Sequence, residues 1–230
     1  MYEDAPSPLL DGLNDIQREA VLHTEGPVLI VAGAGSGKTR ALTHRIAYLI
    51  RERGVSPYEI LGITFTNKAS REMAARVEGL VGSGLSRSMW ILTFHSACAR
   101  ILRREHPHLG IPSSFTIYDD GDTERLIAGI LRDLDVVAKR FPPKALAAAI
   151  SKAKDRVIGP DAFAQMAANF YEEVVAKVYA AYETRKHAAG ALDFDDLISE
   201  TVHLLRDQTG PLVAELQVHE RDGLLGQGPA

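Results

Sequence analysis

The segment Ala32–Thr39 contains the residues of this chain whose types and spacing best suit a chemical task. It reads Ala-Gly-Ala-Gly-Ser-Gly-Lys-Thr. The N–H groups of such a loop can surround the phosphates of a nucleoside triphosphate, while the lysine reaches the β- and γ-phosphates and the threonine hydroxyl ligates Mg²⁺. The segment therefore predicts a Walker A phosphate loop, in which Lys38 and Thr39 are the catalytic residues and Thr39 is the metal ligand.

The residues around the loop predict a strand before it and a helix after it. Pro27–Val31 is an apolar run, and Lys38–Ile50 has helical periodicity. Glycine is expected at 33, 35 and 37 because a Cβ would block close approach of the backbone to phosphate, and because such loops need unusual φ angles. The competing interpretation, a glycine-rich turn followed by a chance Lys-Thr pair, is disfavoured by these flanking elements.

A short helix is predicted upstream, over Leu13–Val21. Asn14 is a suitable N-cap, and Gln17 stands at the third helical position. Gln17 could complete a capping box with Asn14. Its amide, which both donates and accepts, could equally recognise the edge of an adenine. The residues alone leave both roles open.

Two further strand-and-helix units follow the loop. Glu59–Phe65 and Met89–Phe94 are predicted strands, and the helical patterns Asn67–Leu80 and His95–Glu105 come directly after them. Strands that alternate with helices indicate an α/β fold with a parallel sheet covered on both faces. Ligands of such sheets bind at the carboxyl ends of the strands.

Both of these strands end in Thr-Phe followed by polar residues. Aromatic rings and hydrogen-bonding groups at the rim of a sheet suit unpaired nucleic acid, whose bases stack and whose phosphates accept hydrogen bonds. The residues concerned are Thr64, Phe65, Asn67, Lys68, Thr93, Phe94 and His95. For either ring taken alone, the last core position of its strand is the favoured alternative. His95 could also be a helix-start residue bonded to backbone.

From Leu109 the pattern becomes mainly helical. A short β-like run, Phe115–Tyr118, precedes the predicted helices, which cover Asp120–Leu134, Pro143–Lys154, Asp161–Ala168 and Tyr171–His187. This predicts a helical subdomain inserted in the α/β unit. Its Lys152, Lys154 and Arg156 are candidates for contact with a nucleic-acid backbone, although a solvated helix face is the default.

The last predicted helix starts with three carboxylates in four residues. Asp193 is the expected cap, Asp195 and Asp196 follow, and the helix runs to about Arg206. We do not predict a metal site here, since a helix N-terminus stabilises acids without a metal and no apolar strand is predicted before them. Phe194, between the acids, is a candidate third stacking ring.

Charge is unevenly distributed along the chain. The net charge is −4, but residues 33–108 carry twelve basic and five acidic side chains, which is +7. Scattered basic residues fit a phosphate-binding groove and a solvated surface about equally.

The acidic start of the chain and the lack of a run of about 18 apolar residues predict a cytoplasmic protein. The single Cys98 is expected to be a small buried side chain.

Five segments occur in the order typical of the UvrD/Rep/PcrA group of superfamily 1 DNA helicases, which this chain resembles from about Leu13 to Gln217. They are Leu13–Val21, Ala32–Thr39, Ile63–Ala69, Thr93–Ser96 and Leu192–Leu197. The resemblance implies a RecA-like P-loop NTPase sheet, incomplete here, with an inserted helical subdomain. It also implies ATP and Mg²⁺ as cofactors, single-stranded DNA as partner, no membrane, and 3′-to-5′ unwinding in repair or replication.

The implied site residues form two sets. The nucleotide set is Gln17, which would read adenine, with Ala32, Gly33, Ala34, Gly35, Ser36, Gly37, Lys38, Thr39 and Arg40. The DNA set is Thr64, Phe65, Asn67, Lys68, Thr93, Phe94, His95 and Phe194.

The resemblance also implies domain boundaries. Residues 1–12 would form a flexible tail, 13–108 the first part of domain 1A, and 109–191 the helical domain 1B. Residues 192–217 would return toward domain 1A, and 218–230 would be a divergent, disordered tail.

The chain departs from the family pattern after Gln217. In the family, an apolar strand ending in Asp-Glu-x-Gln-Asp supplies an acid for Mg²⁺ and a glutamate for the attacking water, and residues 218–230 contain no such motif. The sequence therefore predicts the N-terminal part of a helicase whose isolated chain neither hydrolyses ATP efficiently nor unwinds DNA. Two alternatives stay open, which are a helicase-nuclease of the same superfamily and another P-loop enzyme such as a small-molecule kinase.

Overall fold

The computed structural model describes residues 7–33 and 35–207. The chain divides into two compact units, with the division between Ala97 and Cys98. The elements of the first unit are α1 (Asp15–Leu22), α2 (Lys38–Arg51), β1 (Leu61–Thr64), α3 (Asn67–Val81), α4 (Ser83–Ser86), β2 (Trp90–Thr93) and the start of α5 (Phe94–Leu109).

The first unit contains a two-stranded parallel sheet. β1 pairs with β2 in a register that places Thr64 opposite Thr93, and α3 lies between the two strands in the chain. The core of the unit is formed by buried side chains of α2 and α3, including Ile46, Met73 and Val77. These strands and helices confirm the alternation predicted from the sequence.

The strand predicted for Pro27–Val31 is wrong. This segment has no regular secondary structure, and the side chains of Leu29 and Val31 are 87% and 85% exposed. A strand needs neighbouring strands for its N–H and C=O groups and cover for its side chains. In the described part of the first unit, β1 and β2 pair only with each other. Apolar composition alone therefore did not produce a strand here.

The end of the predicted N-terminal tail has structure. Pro8–Leu10 forms a short 3₁₀ helix that is capped by the Ser7 hydroxyl. Leu10 is buried with Leu13 and Val21 in a small apolar cluster. Residues 1–6 of the predicted tail lie outside the described residues.

The second unit is mainly helical. After α5 its elements are β3 (Thr116–Tyr118), α6 (Asp120–Asp133), α7 (Pro143–Lys154), α8 (Pro160–Met166), α9 (Phe170–Ala188), β4 (Ala191–Asp193) and α10 (Phe194–Asp207). Its main core lies among α6, α7 and α9, where Ile127, Leu146 and Val178 are fully buried. The predicted helices of this region are confirmed within a few residues at each end.

The second unit contains a two-stranded parallel sheet, of which only β3 was predicted from the sequence. β3 pairs with β4 so that Ile117 lies opposite Leu192. A three-residue strand is too short to show period-two alternation, and its partner is distant in sequence, so β4 left no pattern to recognise. The described residues therefore form a mixed α/β fold, mostly helical, with two short parallel sheets.

The compact units divide earlier in the chain than the predicted boundary at residue 108. The predicted functional domains remain predictions. Residues 208–230, which include the end of the predicted return segment and the whole predicted C-terminal tail, lie outside the described residues. Within the described residues, no helix is long and apolar enough to cross a membrane.

The second unit contains a buried cluster of charged side chains. Lys154 at the end of α7 and Lys186 near the end of α9 are 6% and 2% exposed. The Lys154 Nζ lies 2.6 Å from carboxylate oxygens of both Asp193 and Asp196, and the Lys186 Nζ contacts the same two carboxylates. Glu183 contacts both ammonium groups at 2.7 and 2.8 Å. The sequence suggested that Lys154 lies on a solvated helix face or contacts a nucleic-acid backbone. Both predictions are wrong for this residue, because its ammonium group is buried and paired.

The cluster shifts the pKa values of its members. Burial opposes the charge on Lys154, but Asp196, Asp193 and Glu183 outweigh it and raise the pKa of the ammonium group well above its ordinary 10.5. Burial likewise opposes ionisation of Asp193, and the two lysines outweigh it, so the pKa of this carboxyl is held below its usual range. The cluster is thus a set of mutually dependent charges.

We expect the core of the second unit to be sensitive to loss of packing at Ile127, which is 0% exposed. Ile127→Ala should lower the free energy of unfolding by about 2–5 kcal/mol, since it removes buried methyl groups and leaves a cavity. Urea denaturation followed by circular dichroism measures this. The matched control is Ile198→Ala in α10, where the side chain is 42% exposed. Equal losses for the two variants would contradict the assignment of Ile127 to the core.

The raised pKa of Lys154 predicts loss of stability at alkaline pH. The unfolded chain releases this proton near pH 10.5, whereas the folded chain holds it to higher pH. The stabilisation is therefore complete below pH 10.5 and is lost as the pH rises above it. Lys154→Met should cost about 3–5 kcal/mol at neutral pH, because Lys186 alone is then left to balance the carboxylates of this cluster. It should also flatten the decline in stability between roughly pH 10 and 12.

Urea denaturation across that pH range tests this expectation. Tyr182, whose hydroxyl donates to Asp193 at 2.9 Å, also has a raised pKa because of its burial and this carboxylate. Ionisation of Tyr182 therefore also lowers the stability as the pH rises. The informative quantity is the difference in this decline between Lys154→Met and the unmodified protein. The control is Lys152→Met, an exposed lysine two residues earlier on α7, which should keep the decline of the unmodified protein. An undiminished decline in Lys154→Met would be evidence against the charge cluster as its source.

Candidate functional site

The phosphate-loop segment folds back on itself. The ammonium group of Lys38, the first residue of α2, donates hydrogen bonds to the backbone carbonyls of Ala32 and Gly33, the latter at 2.6 Å. The Ser36 hydroxyl donates to the same Gly33 carbonyl at 2.7 Å. The lysine therefore lies against the loop that precedes its own helix, where its N–H groups are directed at two carbonyl oxygen atoms.

Gln17 joins this loop to α1. Its Oε1 accepts a hydrogen bond from the Asn14 N–H, and the Asn14 side chain accepts one from the Gln17 N–H, so the capping box suggested by the sequence is present. The Nε2 of Gln17 donates to the Ser36 carbonyl at 3.0 Å. The capping role is confirmed, and the same side chain also contacts the phosphate-loop segment.

Glycine is required most clearly at position 37. Gly37 caps α2 with φ +85°, and a Cβ there would lie 2.4 Å from Gln17 Nε2. Gly35 also has a positive φ, +76°. Gly33 differs, because its φ is ordinary and an added Cβ would meet nothing within 4 Å. The expectation of an unusual φ is thus wrong at Gly33 and confirmed at the other two. Thr39 and Arg40 follow in the first turn of α2 and are exposed.

Two aromatic rings lie together at the carboxyl end of the β1–β2 sheet. Phe65 and Phe94 each follow the last residue of a strand, and the register of the strands places them side by side, with ring centroids 5.8 Å apart. Phe65 is 91% exposed and Phe94 is 46% exposed. The core position favoured for each ring taken alone is therefore wrong, since both rings face solvent.

The polar residues beside these rings fall into two groups. Asn67, Lys68 and His95 are exposed. Thr64 and Thr93 are buried, and their hydroxyls bond within their own turns. Thr64 Oγ1 donates to the Thr66 carbonyl, whereas Thr93 Oγ1 donates to the Ser96 hydroxyl and accepts from the Ser96 N–H. The threonines shape the strand ends, and the other three residues are exposed beside them.

The second unit has a similar junction at Phe194, which is 45% exposed. Asp193 caps α10, because its Oδ1 accepts from the Asp196 N–H at 2.9 Å, and Asp196 Oδ2 accepts from the Asp193 N–H at 2.8 Å. The predicted cap is confirmed. The sequence predicted no apolar strand before these acids. This prediction is wrong, since β4 ends at Asp193.

Three carboxylates near this junction are spaced as metal ligands could be. Oxygen atoms of Glu183, Asp193 and Asp196 all lie within 4.8 Å of one another. Ammonium groups of Lys154 and Lys186 lie among the same oxygen atoms. The negative charge that would attract a divalent cation is thus balanced by the chain's own lysines.

The buried, paired role of Lys154 and Lys186 was not predicted from the sequence, although a signal was present. Lys154 continues the stripe of buried Leu146 and Ile150 at a spacing of four along α7. Lys186 continues the buried Val178 and Tyr182 of α9 at the same spacing. A lysine in register with an apolar stripe indicates a buried ammonium group that needs carboxylate partners.

Comparison with known proteins gives a consistent result. The model of the UvrD/REP helicase N-terminal domain matches residues 13–221. The chain is 50% identical to ATP-dependent DNA helicase PcrA of Bacillus subtilis over 196 residues, which are 85% of this chain and 26% of that protein. It is 52% identical to ATP-dependent DNA helicase UvrD1 of Mycobacterium tuberculosis over 220 residues, which are 91% of this chain and 28% of that protein.

The chain thus spans about a quarter of the length of the curated relatives it matches. These matches do not favour the alternative classes that the sequence left open, a small-molecule kinase or a helicase-nuclease. Because the family model covers well over half of its residues, the chain belongs to the UvrD/REP helicase N-terminal domain family.

Proposed function

We propose that this chain is the ATP-binding and single-stranded-DNA-binding N-terminal portion of an ATP-dependent DNA helicase. The observation that carries the proposal is the exposed Phe65–Phe94 pair at the carboxyl ends of two paired strands, in the same compact unit as the glycine loop. Two relatives that share about half of their aligned residues with this chain are named ATP-dependent DNA helicases. For the whole protein we propose 3′-to-5′ unwinding in DNA repair or replication.

The first unit supports a RecA-like P-loop assignment. A glycine loop leads into α2, and a helical crossover joins two parallel strands, as in nucleotide-binding α/β domains. We assign residues 13–108 to domain 1A and 109–191 to a helical domain 1B, with 192–217 returning to domain 1A.

The loop residues suit ATP with Mg²⁺. Lys38 already directs its N–H groups at backbone oxygens of the loop, and the same donors can serve the β- and γ-phosphates. Gly35 and Gly37 have the positive φ angles that let loop N–H groups turn toward an anion. We assign Ala32–Arg40 to the phosphates, the Thr39 hydroxyl to Mg²⁺ and the Gln17 amide to adenine. Mg²⁺ would supply charge neutralisation between phosphate oxygens.

For DNA, we propose that bases stack on Phe65 and Phe94 and that phosphates bind Asn67, Lys68 and His95. Stacking accepts any base, whereas contacts to phosphates carry no sequence information. We assign Thr64 and Thr93 to the same site, where their buried hydroxyls hold the strand ends. In the second unit, Phe194 is the third stacking ring. This arrangement predicts binding that depends little on base sequence.

Lys38→Ala should weaken binding of Mg²⁺-ATP by about 10- to 150-fold, because a charge-assisted hydrogen bond contributes roughly 1.5–3 kcal/mol. Titration of the purified chain with a fluorescent ATP analogue in the presence of Mg²⁺ measures the affinity. Lys139→Ala, at an exposed lysine of the second unit, is the control and should bind as the unmodified chain does. If both variants retain full affinity, Lys38 is not a phosphate ligand.

Phe65→Ala and Phe94→Ala should each weaken binding of an oligo-dT strand by about 5- to 150-fold, since stacking on one ring contributes roughly 1–3 kcal/mol per base. Fluorescence anisotropy at fixed salt gives the affinity. The matched control is Tyr58→Ala, an aromatic residue of the same unit that is 78% exposed and precedes β1 rather than following it. A loss at Tyr58 as large as that at the two phenylalanines would indicate non-specific aromatic contact instead of a site at the carboxyl end.

A further inference from the structure

We propose that Lys154 and Lys186 are positioning residues for Phe194. Their buried cluster with Asp193 and Asp196 fixes the first turn of α10 and so holds the Phe194 ring in place for stacking on a base of single-stranded DNA. The inference rests on the proposed DNA-binding function of Phe194.

The two lysines and the backbone of α10 share the same carboxylates. Asp193 uses Oδ1 to accept from the Asp196 N–H, and its Oδ2 accepts from Lys154 at 2.6 Å, from the Tyr182 hydroxyl at 2.9 Å and from Lys186 at 3.2 Å. Asp196 uses Oδ2 for the Asp193 N–H and for Lys186, and Oδ1 for Lys154. Each carboxylate is therefore fixed at both oxygens. Phe194 directly follows one of the two anchored residues.

Starting a helix does not require such a cluster. α6 begins with a capping box of the same composition, in which Asp119 accepts from the Asp122 N–H and Asp122 accepts from the Asp119 N–H. That box is exposed, and an exposed arginine, Arg125, pairs with Asp122. Two aspartates are thus sufficient to cap a helix on the surface. The lysines at α10 must contribute something beyond capping.

Stability alone does not explain the lysines either. Buried ion pairs are often no more stabilising than apolar side chains of similar size, because desolvation offsets the attraction. Such a cluster does restrict its members to one arrangement, since moving any member leaves a buried charge without its partner. Here the cluster fixes the first turn of α10, which carries the exposed Phe194. Fixing a ring before it binds lowers the entropic cost of stacking.

The surroundings of Phe194 favour a base over a phosphate. The ring lines a cavity of about 290 Å³ within the second unit, together with Tyr118 and Lys144. Carboxylates of Asp120, Glu124 and Asp195 also line it. Asp193 lines the cavity as well, but it is paired with Lys154 and Lys186. The other three carboxylates outnumber the one lysine and repel a phosphate, whereas an uncharged base is tolerated. The stacked group on this side of the ring is therefore a nucleobase.

A double-mutant cycle on the full 230-residue chain tests the inference. Phe194→Ala should weaken binding of oligo-dT by about 5- to 150-fold, and Lys154→Met should weaken it by a large part of that factor. The combined variant should bind no more weakly than Phe194→Ala alone, because the lysine acts only through the ring. Lys177→Met, at an exposed lysine of α9 in the same unit, is the control and should bind normally.

Circular dichroism establishes that each variant is folded. If Lys154→Met does not fold, the pair Lys154→Met with Asp196→Asn, which removes one charge of each sign, takes its place in the cycle. Equal further losses from the lysine change with and without Phe194 would overturn the positioning role, since the lysine would then act independently of the ring. So would full affinity in folded Lys154→Met.

The same data distinguish failure of the underlying function. If the unmodified chain does not bind oligo-dT, the proposed DNA-binding function fails, and the positioning role fails with it. If Phe65→Ala and Phe94→Ala weaken binding but Phe194→Ala does not, DNA binding stands and only the inference about Phe194 is overturned.

Discussion

The second unit depends on two ammonium groups that bridge the same two carboxylates. Lys154 and Lys186 come from different helices, and both meet Asp193 and Asp196 at the junction of β4 and α10. The interaction brings the ends of α7 and α9 and the start of α10 to one point. Removing any one charge leaves the remaining buried charges without balance, which costs more than the contact itself contributes. The apolar core around Ile127 supplies the stabilisation, and the cluster determines the arrangement.

In the glycine loop of the first unit, the polar groups of the chain satisfy one another. Lys38 and Ser36 donate to carbonyls of the loop, and Gln17 donates to Ser36. In the proposed nucleotide-bound state a phosphate replaces these bonds, so the affinity of the loop for a triphosphate would be the difference between the hydrogen bonds that the phosphate accepts and those that the loop already makes. The positive φ angles of Gly35 and Gly37 let the backbone change partners without steric strain.

The sequence predicted what depends on local periodicity and missed what depends on long-range pairing. The helices of the second unit were located closely, because each has its own apolar stripe. Pro27–Val31 was predicted as a strand from composition, yet a strand exists only where another strand pairs with it. β4 was missed for the converse reason, because its partner β3 lies far away in the chain. The site followed the same rule: capping residues were predicted, whereas the carboxylate partners of Lys154 were not.

The exposure of the phenylalanines follows from a junction that occurs twice. At Thr93 and at Asp193, a buried strand-end residue accepts a hydrogen bond from the N–H three residues later, and the phenylalanine after it starts the helix. Because the cap side chain must point back toward the helix N-terminus, the next residue is directed away from the strand pair and toward solvent. Phe94 and Phe194 accordingly have nearly equal exposure, 46% and 45%. The difference between the junctions is the cap, a hydroxyl at Thr93 and a carboxylate at Asp193. Only the carboxylate attracts buried lysines, so the ring whose backbone is fixed by charge is Phe194.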